Sequence, residues 1–210
     1  MRISHKYKFV FICVPKTGST AVRRALDEYS DISSSVDLSY TFHITTQELK
    51  QRFIDNGWDW DEYFKFGFVR NPWESQVSRW VYDNRVAQRE LVPDSYTLHE
   101  SMNAYTLRCR KVFDEYPTFD LWVRERILRS SQFICDEDGD VMLDFVGRQE
   151  QLQEGFDEVM KRIGLPTKKL EMVNVYEHDH YSKYYNAETR ELVAGRCARE
   201  IELFNYEFGK

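Results

Sequence analysis

The chain has no long apolar run. Nowhere does it reach the ~20 consecutive apolar residues that a membrane-spanning helix needs. The apolar run nearest the N-terminus, residues 9–14, is too short for a signal-peptide core, and no small-residue cleavage site follows it. These absences predict a cytoplasmic chain with no membrane partner. Cysteine is sparse: Cys13, Cys109, Cys135 and Cys197 are widely spaced and form no CxxC pair, which predicts reduced core thiols and no zinc site or disulfide framework. Five prolines and nine glycines in 210 residues leave no low-complexity linker, no repeat is visible, and a single domain over 1–210 is expected. Positive charge is in deficit, with 29 Lys and Arg against 35 Asp and Glu, a net −6 that argues against a nucleic-acid or anionic-membrane coat protein. Apolar material is not lacking: hydrophobic residues make up 42% and aromatics 15%, enough to exclude wholesale disorder.

Residues 8–14 form a continuous β-branched and aromatic run, read as a strand buried on both faces. Residues 15–20, PKTGST, break it. Residues 21–29 read as a helix with Val22, Ala25, Leu26 and Tyr29 on one face and Arg23, Arg24, Asp27 and Glu28 on the other. A second strand is expected over 39–45, then a helix to about Asn56 opened by the Thr45/Glu48 capping box. Residues 63–69 read as the third strand, and Asn71-Pro72 caps and starts the next helix. Helices are expected over 98–113, 118–129 and 149–163, and from the Asn186 cap toward Tyr206. Residues 132–135 and 141–143, around Asp136-Glu-Asp-Gly-Asp140, carry a hairpin signature. Strands alternating with helices predict an α/β fold of three layers, with a central, mainly parallel sheet flanked by helices and ligands at the carboxyl ends of its strands.

Two motifs fall at that location. In the first, Pro15-Lys16-Thr17-Gly18-Ser19-Thr20 joins a buried strand to a helix, where successive amides and the helix dipole form an anion cradle. Gly18 allows close backbone approach, Ser19 and Thr20 add hydroxyls, and Lys16 adds a point charge. The nucleotide-triphosphatase loop places its lysine after the glycine; here it precedes, and no acidic residue at a neighbouring strand end offers itself to magnesium. The plain alternative is an ordinary helix entry with a solvated lysine. In the second motif, Arg70 ends the third strand and Ser78 lies about two turns into the following helix. An arginine fork and a hydroxyl together suit a phosphate monoester, and the plain alternative is a salt bridge and a surface serine.

These residues resemble the P-loop sulfotransferases, the carbohydrate (heparan- and chondroitin-type) enzymes in particular. That family carries a PK[TC]G[ST][ST] loop, matched by residues 15–20, and an RxPxxxxxS segment, matched by Arg70, Pro72 and Ser78. Weaker likeness continues through residues 145–152 and 180–190. The resemblance implies a P-loop-type fold and transfer of a sulfuryl group from 3′-phosphoadenosine 5′-phosphosulfate (PAPS) to an acceptor hydroxyl, with 3′-phosphoadenosine 5′-phosphate as product and no metal. It implies that Pro15, Lys16, Thr17, Gly18, Ser19 and Thr20 hold the 5′-phosphosulfate, that Lys16 stabilises charge during transfer, and that Arg70 and Ser78 hold the 3′-phosphate. Arg148 and Lys183 are further candidates for a donor phosphate, with solvated surface charge as the alternative.

The acceptor hydroxyl needs a base, for which histidine is the default. His43, before a capped helix, is the candidate, with local capping or packing as its alternative and Glu28 as a substitute base. His178 and His180 surround Asp179, but two histidines without a further fixed ligand are a weak metal signal. Arg85, Arg89, Arg108, Arg110 and Lys111 either meet an anionic acceptor or form a solvated helix face interleaved with Glu90, Glu100 and Asp114. A P-loop small-molecule kinase and a non-catalytic nucleotide-binding protein on the same fold are the competing functions. Oligomeric state and acceptor identity are not legible in the residues.

Overall fold

The structure, a computed structural model, describes residues 1–33, 37, 40–88, 99–171, 173 and 178–209, and for residues 99–103 the backbone alone. Arg89 and Glu90 therefore lie outside the described residues, as do the side chains of His99 and Glu100. In chain order the elements are β1 (Arg2–Ser4), β2 (Phe9–Ile12), α1 (Ser19–Leu26), β3 (Ile32–Ser33), α2 (Thr46–Asp55), β4 (Phe64–Val69), α3 (Pro72–Ala87), α4 (His99–Glu115), α5 (Phe119–Glu125), α6 (Ser131–Ile134), β5 (Phe145–Arg148), α7 (Leu152–Arg162), α8 (Ala187–Arg196) and α9 (Ala198–Phe204). They form two compact units, Met1–Arg70 with Ser130–Asn174, and Asn71–Arg129 with Val175–Lys210.

The first unit is an α/β body around a five-stranded sheet in the order β3-β1-β2-β4-β5. Its centre is parallel: β2 pairs with β4 (Phe11 opposite Phe66) and β4 with β5 (Phe66 opposite Phe145). Its margin, β1 with β2 and β3, is antiparallel and was not foreseen from the sequence. Phe9, Phe11 and Cys13 alternate with Val10 and Ile12, and all five are fully buried, as a central strand covered on both faces requires. Phe9, Phe11, Cys13, Phe66 and Phe68 meet Val22, Ala25 and Leu26 of α1 and Leu152, Phe156, Val159 and Met160 of α7. The α7 positions recur at i, i+4, i+7 and i+8, one stripe of a helix. Phe11 stacks on Phe66 with ring centroids 5.1 Å apart, and Phe68 meets Phe66 and Phe145 edge-on.

Two expectations fail in this unit for physical reasons. The described residues of the second strand candidate, 40–45, form a turn and not a strand. Both edges of β2 are already taken by β1 and β4, so this segment finds no edge beside it. Thr45 does cap α2, with the full capping box to Glu48. At 132–143 the turn forms, with Asp136 accepting the amides of Asp138 and Asp140. Its first arm, however, is the short helix α6, and only Cys135 and Val141 bridge. The helical turn buries both Phe133 and Ile134 and lets the Phe133 carbonyl accept the Thr46 hydroxyl at 2.7 Å.

The second unit is helical. Trp73 Nε1 donates to the Arg190 carbonyl, and the Tyr185 hydroxyl donates to the Trp73 carbonyl. Gln76, fully buried, donates from Nε2 to the Leu128 carbonyl and accepts the Leu128 amide on Oε1. That clamp takes both backbone groups of Leu128, so α5 stops at Glu125, short of the expected 129. Arg124 forks onto Glu188 at 2.6 and 2.9 Å. The expected last helix is two, broken at Cys197. All four cysteines are buried free thiols. Among the described residues no helix is long and apolar enough to cross a membrane.

Gly155 of α7 shows packing overriding propensity. A Cβ there would lie 2.9 Å from Phe68 Cε1, a fully buried ring. Alanine in a helix interior normally gains about 1 kcal/mol over glycine, whereas overpacking a core costs about 1–3 kcal/mol. Gly155→Ala is therefore expected to lower the urea midpoint, and Gly155→Ala with Phe68→Leu to recover part of the loss. A Gly155→Ala protein more stable than wild type contradicts this packing.

Candidate active site

In the first unit, the carboxyl ends of the three parallel strands carry the motif residues. β2 runs into Val14 and Pro15, β4 into Arg70, and β5 ends on Arg148, which lies opposite Val69 in register. The loop after β2 is bent by two left-handed residues, Lys16 at φ 67° and Gly18 at φ 74°. For lysine such a conformation costs roughly 1–2 kcal/mol and persists only where its surroundings impose it. Two bonds do so: Thr17, buried, donates its hydroxyl to the Val14 carbonyl at 2.9 Å, and Arg70 Nη1 donates to the Lys16 carbonyl at 3.2 Å.

Gly18 is the N-cap of α1, and its carbonyl receives the Ala21 amide at 3.0 Å. A Cβ on Gly18 would stand 2.5 Å from Leu152 Cδ2, so glycine is needed both for its φ and for the approach of α7. The amides of Ser19 and Thr20 open the helix, where no preceding turn can accept them. With the dipole of α1 they make the concave positive end that binds oxoanions, and Lys16, half-buried beside them, adds a charge. This fits a phosphosulfate group.

His43 belongs to the same neighbourhood, although not on a strand. Its Nδ1 lies 2.7 Å from the Cys13 carbonyl, at the entrance to the loop. A carbonyl only accepts, so in the neutral ring Nδ1 carries the proton and Nε2 keeps its lone pair. The ring pKa is lowered, to about 4, first by burial and further by the charges of the amino terminus, Arg23 and Lys16, while the bond to Cys13 opposes the shift. His43 nevertheless counts as exposed by accessible surface. One edge thus meets water while the rest is crowded, and the exposed edge moderates desolvation. At pH 7 the imidazole is neutral, with Nε2 unprotonated.

Arg23 was assigned from the sequence to the polar face of α1. There its Nη2 donates to Thr20 Oγ1 at 3.2 Å and its guanidinium lies 4.6 Å from the Phe42 ring centre, half-buried. The i, i+3 spacing from Thr20 was the available signal. Glu28 sits past the other end of α1, exposed and paired with Lys168 at 3.0 Å, so it is not brought to the loop.

Ser78 lies in the second unit, half-buried on α3, which Asn71 caps by accepting the amides of Trp73 and Glu74. Lys183 of that unit pairs with Asp179 at 2.9 Å on the surface. His180 caps the short 3-10 turn Tyr181–Tyr184 and lies against Tyr181, and His178 bonds the Asp179 carbonyl. Among the described residues no three His, Cys, Asp or Glu side chains gather as a metal site.

Comparison with known proteins agrees in kind. A family model described as the sulfotransferase family matches residues 1–207. A protein of Archaeoglobus fulgidus, known only as an uncharacterized protein, is 30% identical over 129 residues, 59% of this chain and 86% of that one. No solved structure matches the chain.

The lowered pKa of His43 ties stability to pH. In the unfolded chain the ring titrates near its ordinary 6.5, so as pH falls the unfolded state takes up this proton first. The folded state's advantage is complete above that value and is lost as pH falls through the window down to the lowered folded value. The urea midpoint is expected to drop as pH falls from about 6.5 to about 4, and to drop less in His43→Gln. Equal pH dependence in the two proteins contradicts the assignment.

Proposed function

The chain belongs to the sulfotransferase family, and on that premise we propose that it transfers a sulfuryl group from PAPS to a hydroxyl of a carbohydrate acceptor. The observation that carries the reading is the convergence on one loop of Arg70, bonded to the Lys16 carbonyl, and His43, bonded to the Cys13 carbonyl. PAPS, when bound, supplies the activated sulfuryl group. The amides at the start of α1 and the Lys16 ammonium hold the 5′-phosphosulfate and stabilise negative charge on the leaving oxygen, from fixed positions that need no reorganisation. Arg70 takes the 3′-phosphate, joined by Ser78 through its place in the Arg70-Pro72-Ser78 pattern, with Arg148 and Lys183 as further phosphate contacts. His43 Nε2 accepts the proton of the attacking hydroxyl while its Nδ1–H stays on the Cys13 carbonyl, which orients the ring.

The kinase reading loses support from the order of the loop, in which lysine precedes glycine. The carbohydrate assignment rests on the resemblance of the motifs to the heparan- and chondroitin-type enzymes. Residues 15–20, Arg70 and Ser78 carry it.

One experiment separates donor binding from turnover. 3′-Phosphoadenosine 5′-phosphate is expected to raise the Tm of the wild type by mass action, and Arg70→Ala to abolish the shift. Lys16→Ala and His43→Ala are expected to keep most of the shift and lose about 100-fold or more in turnover, read with a sulfur-labelled donor against glycans, peptides, phenols and steroids. Absence of any shift at saturating nucleotide rejects the donor. Turnover confined to phenols, steroids or peptides rejects the carbohydrate acceptor.

A further inference from the structure

The second unit contains a charged cavity that the proposed reaction does not use. It measures about 110 Å³ and is lined by Arg79 and Asp83 of α3, Tyr105, Arg108, Cys109 and Val112 of α4, and Arg126 just after α5. Three guanidiniums face one carboxylate, a local charge of +2 in a chain of net −6. Asp83 offsets one of the three and leaves the other two unpaired by it. Its Oδ1 accepts the Tyr105 hydroxyl at 2.8 Å, and Oδ2 stands 3.6 Å from Arg79 Nε, beyond a good hydrogen bond. Arg79 Nη1 is held by the Arg126 carbonyl at 3.3 Å, and the Arg108 guanidinium rests over the Tyr105 ring. Arg126 carries a buried Nε–H with no hydrogen-bond partner among the described residues. A buried, unsatisfied donor on a cation is costly, and an anion within reach is the partner that would satisfy it.

The size narrows the ligand. An engineered apolar cavity of about 150 Å³ holds one benzene ring, so this smaller, polar cavity suits one tetrahedral oxoanion and no sugar ring. Burial and Asp83 raise the Cys109 thiol to about 11, and the same two causes raise the Tyr105 phenol, so both stay neutral and add no negative charge.

We propose that the cavity between α3 and α4 is a binding site for a single oxoanion group of sulfate type, held by Arg79, Arg108 and Arg126. The group is either the free ion or the sulfate ester of a larger molecule whose remainder stays outside the cavity. The site goes beyond the proposed transfer reaction and does not require it.

Calorimetric titration of the whole chain with sodium sulfate, balanced with sodium chloride to constant ionic strength, tests this. Titrations run in saturating 3′-phosphoadenosine 5′-phosphate and, separately, in a Lys16→Ala background, so that sulfate bound at the loop after β2 is not counted. Saturable binding is expected in both backgrounds. Arg126→Gln and Arg108→Gln, the latter at an exposed position, are expected to weaken it at least tenfold and to leave the Tm shift by the nucleotide unchanged. Asp83→Asn, which removes the opposing charge and keeps an acceptor for Tyr105, is expected to tighten it several-fold. A merely structural ion cluster would give the opposite, a less stable protein with no gain in sulfate affinity. Methyl sulfate binding as well as the free ion assigns an ester, and its exclusion assigns the free ion. No saturable sulfate binding, or equal binding by wild type and both arginine variants, overturns the site. Loss of the nucleotide shift in the wild type overturns the donor assignment alone.

Discussion

The active end of this protein depends on a place where no side chain fits. Leu152 occupies the position that a Cβ on Gly18 would need. Leu152 of α7 thus lies close against the turn from which α1 starts at Ser19. The rest follows from the cramped path. The chain leaves a fully buried strand, makes two left-handed bends within three residues and enters a helix. Such a path holds only if its carbonyls are tied down. Thr17, Arg70 and His43 each take one: those of Val14, Lys16 and Cys13. The residues that fix the loop are thus largely the residues that would do chemistry there.

This arrangement shows how a chain of net negative charge can still offer an anion site. Net charge describes solubility and long-range attraction, whereas a cleft responds to the few charges and dipoles that face it. Here the N-terminus of α1, Lys16, Arg23 and Arg70 gather at the loop after β2. Burial above all, with the amino terminus, Arg23 and Lys16, keeps the His43 ring neutral, so its Nε2 lone pair stays free beside groups suited to holding an anion.

Much of this was legible in the residues, and the limits have physical causes. β2, α1, β4 and α3 could be read because periodicity and caps are local, and residues 15–20 and 70–78 because their spacing is fixed by the strand-to-helix turns they occupy. β1 and β3 are three and two residues long, too short for any periodic signal. The strand expected at 39–45 is absent over its described residues 40–45, where both edges of β2 are taken by β1 and β4, a competition that the segment's own residues do not reveal. The cover of Arg23 by Phe42 was missed because a helical wheel separates polar from apolar but does not say which polar residue another segment will cover. In the second unit, the early end of α5 could not be foreseen because its cause, Gln76, lies 52 residues away from Leu128.

Gln76 also shows how little freedom the helical unit has at one point. Its Nε2 donates to the carbonyls of Pro72 and Leu128, and its Oε1 accepts the Leu128 amide. A side-chain amide there stands in for a neighbouring strand, offering a donor and an acceptor side by side to a stretch of backbone that has left its helix. Among the twenty amino acids only asparagine shares that pairing, and it is one methylene too short. Trp73 and Asp83 of the same helix also make polar contacts, but at Gln76 a single side chain must meet a donor and an acceptor at once, and this position is written in a one-letter alphabet.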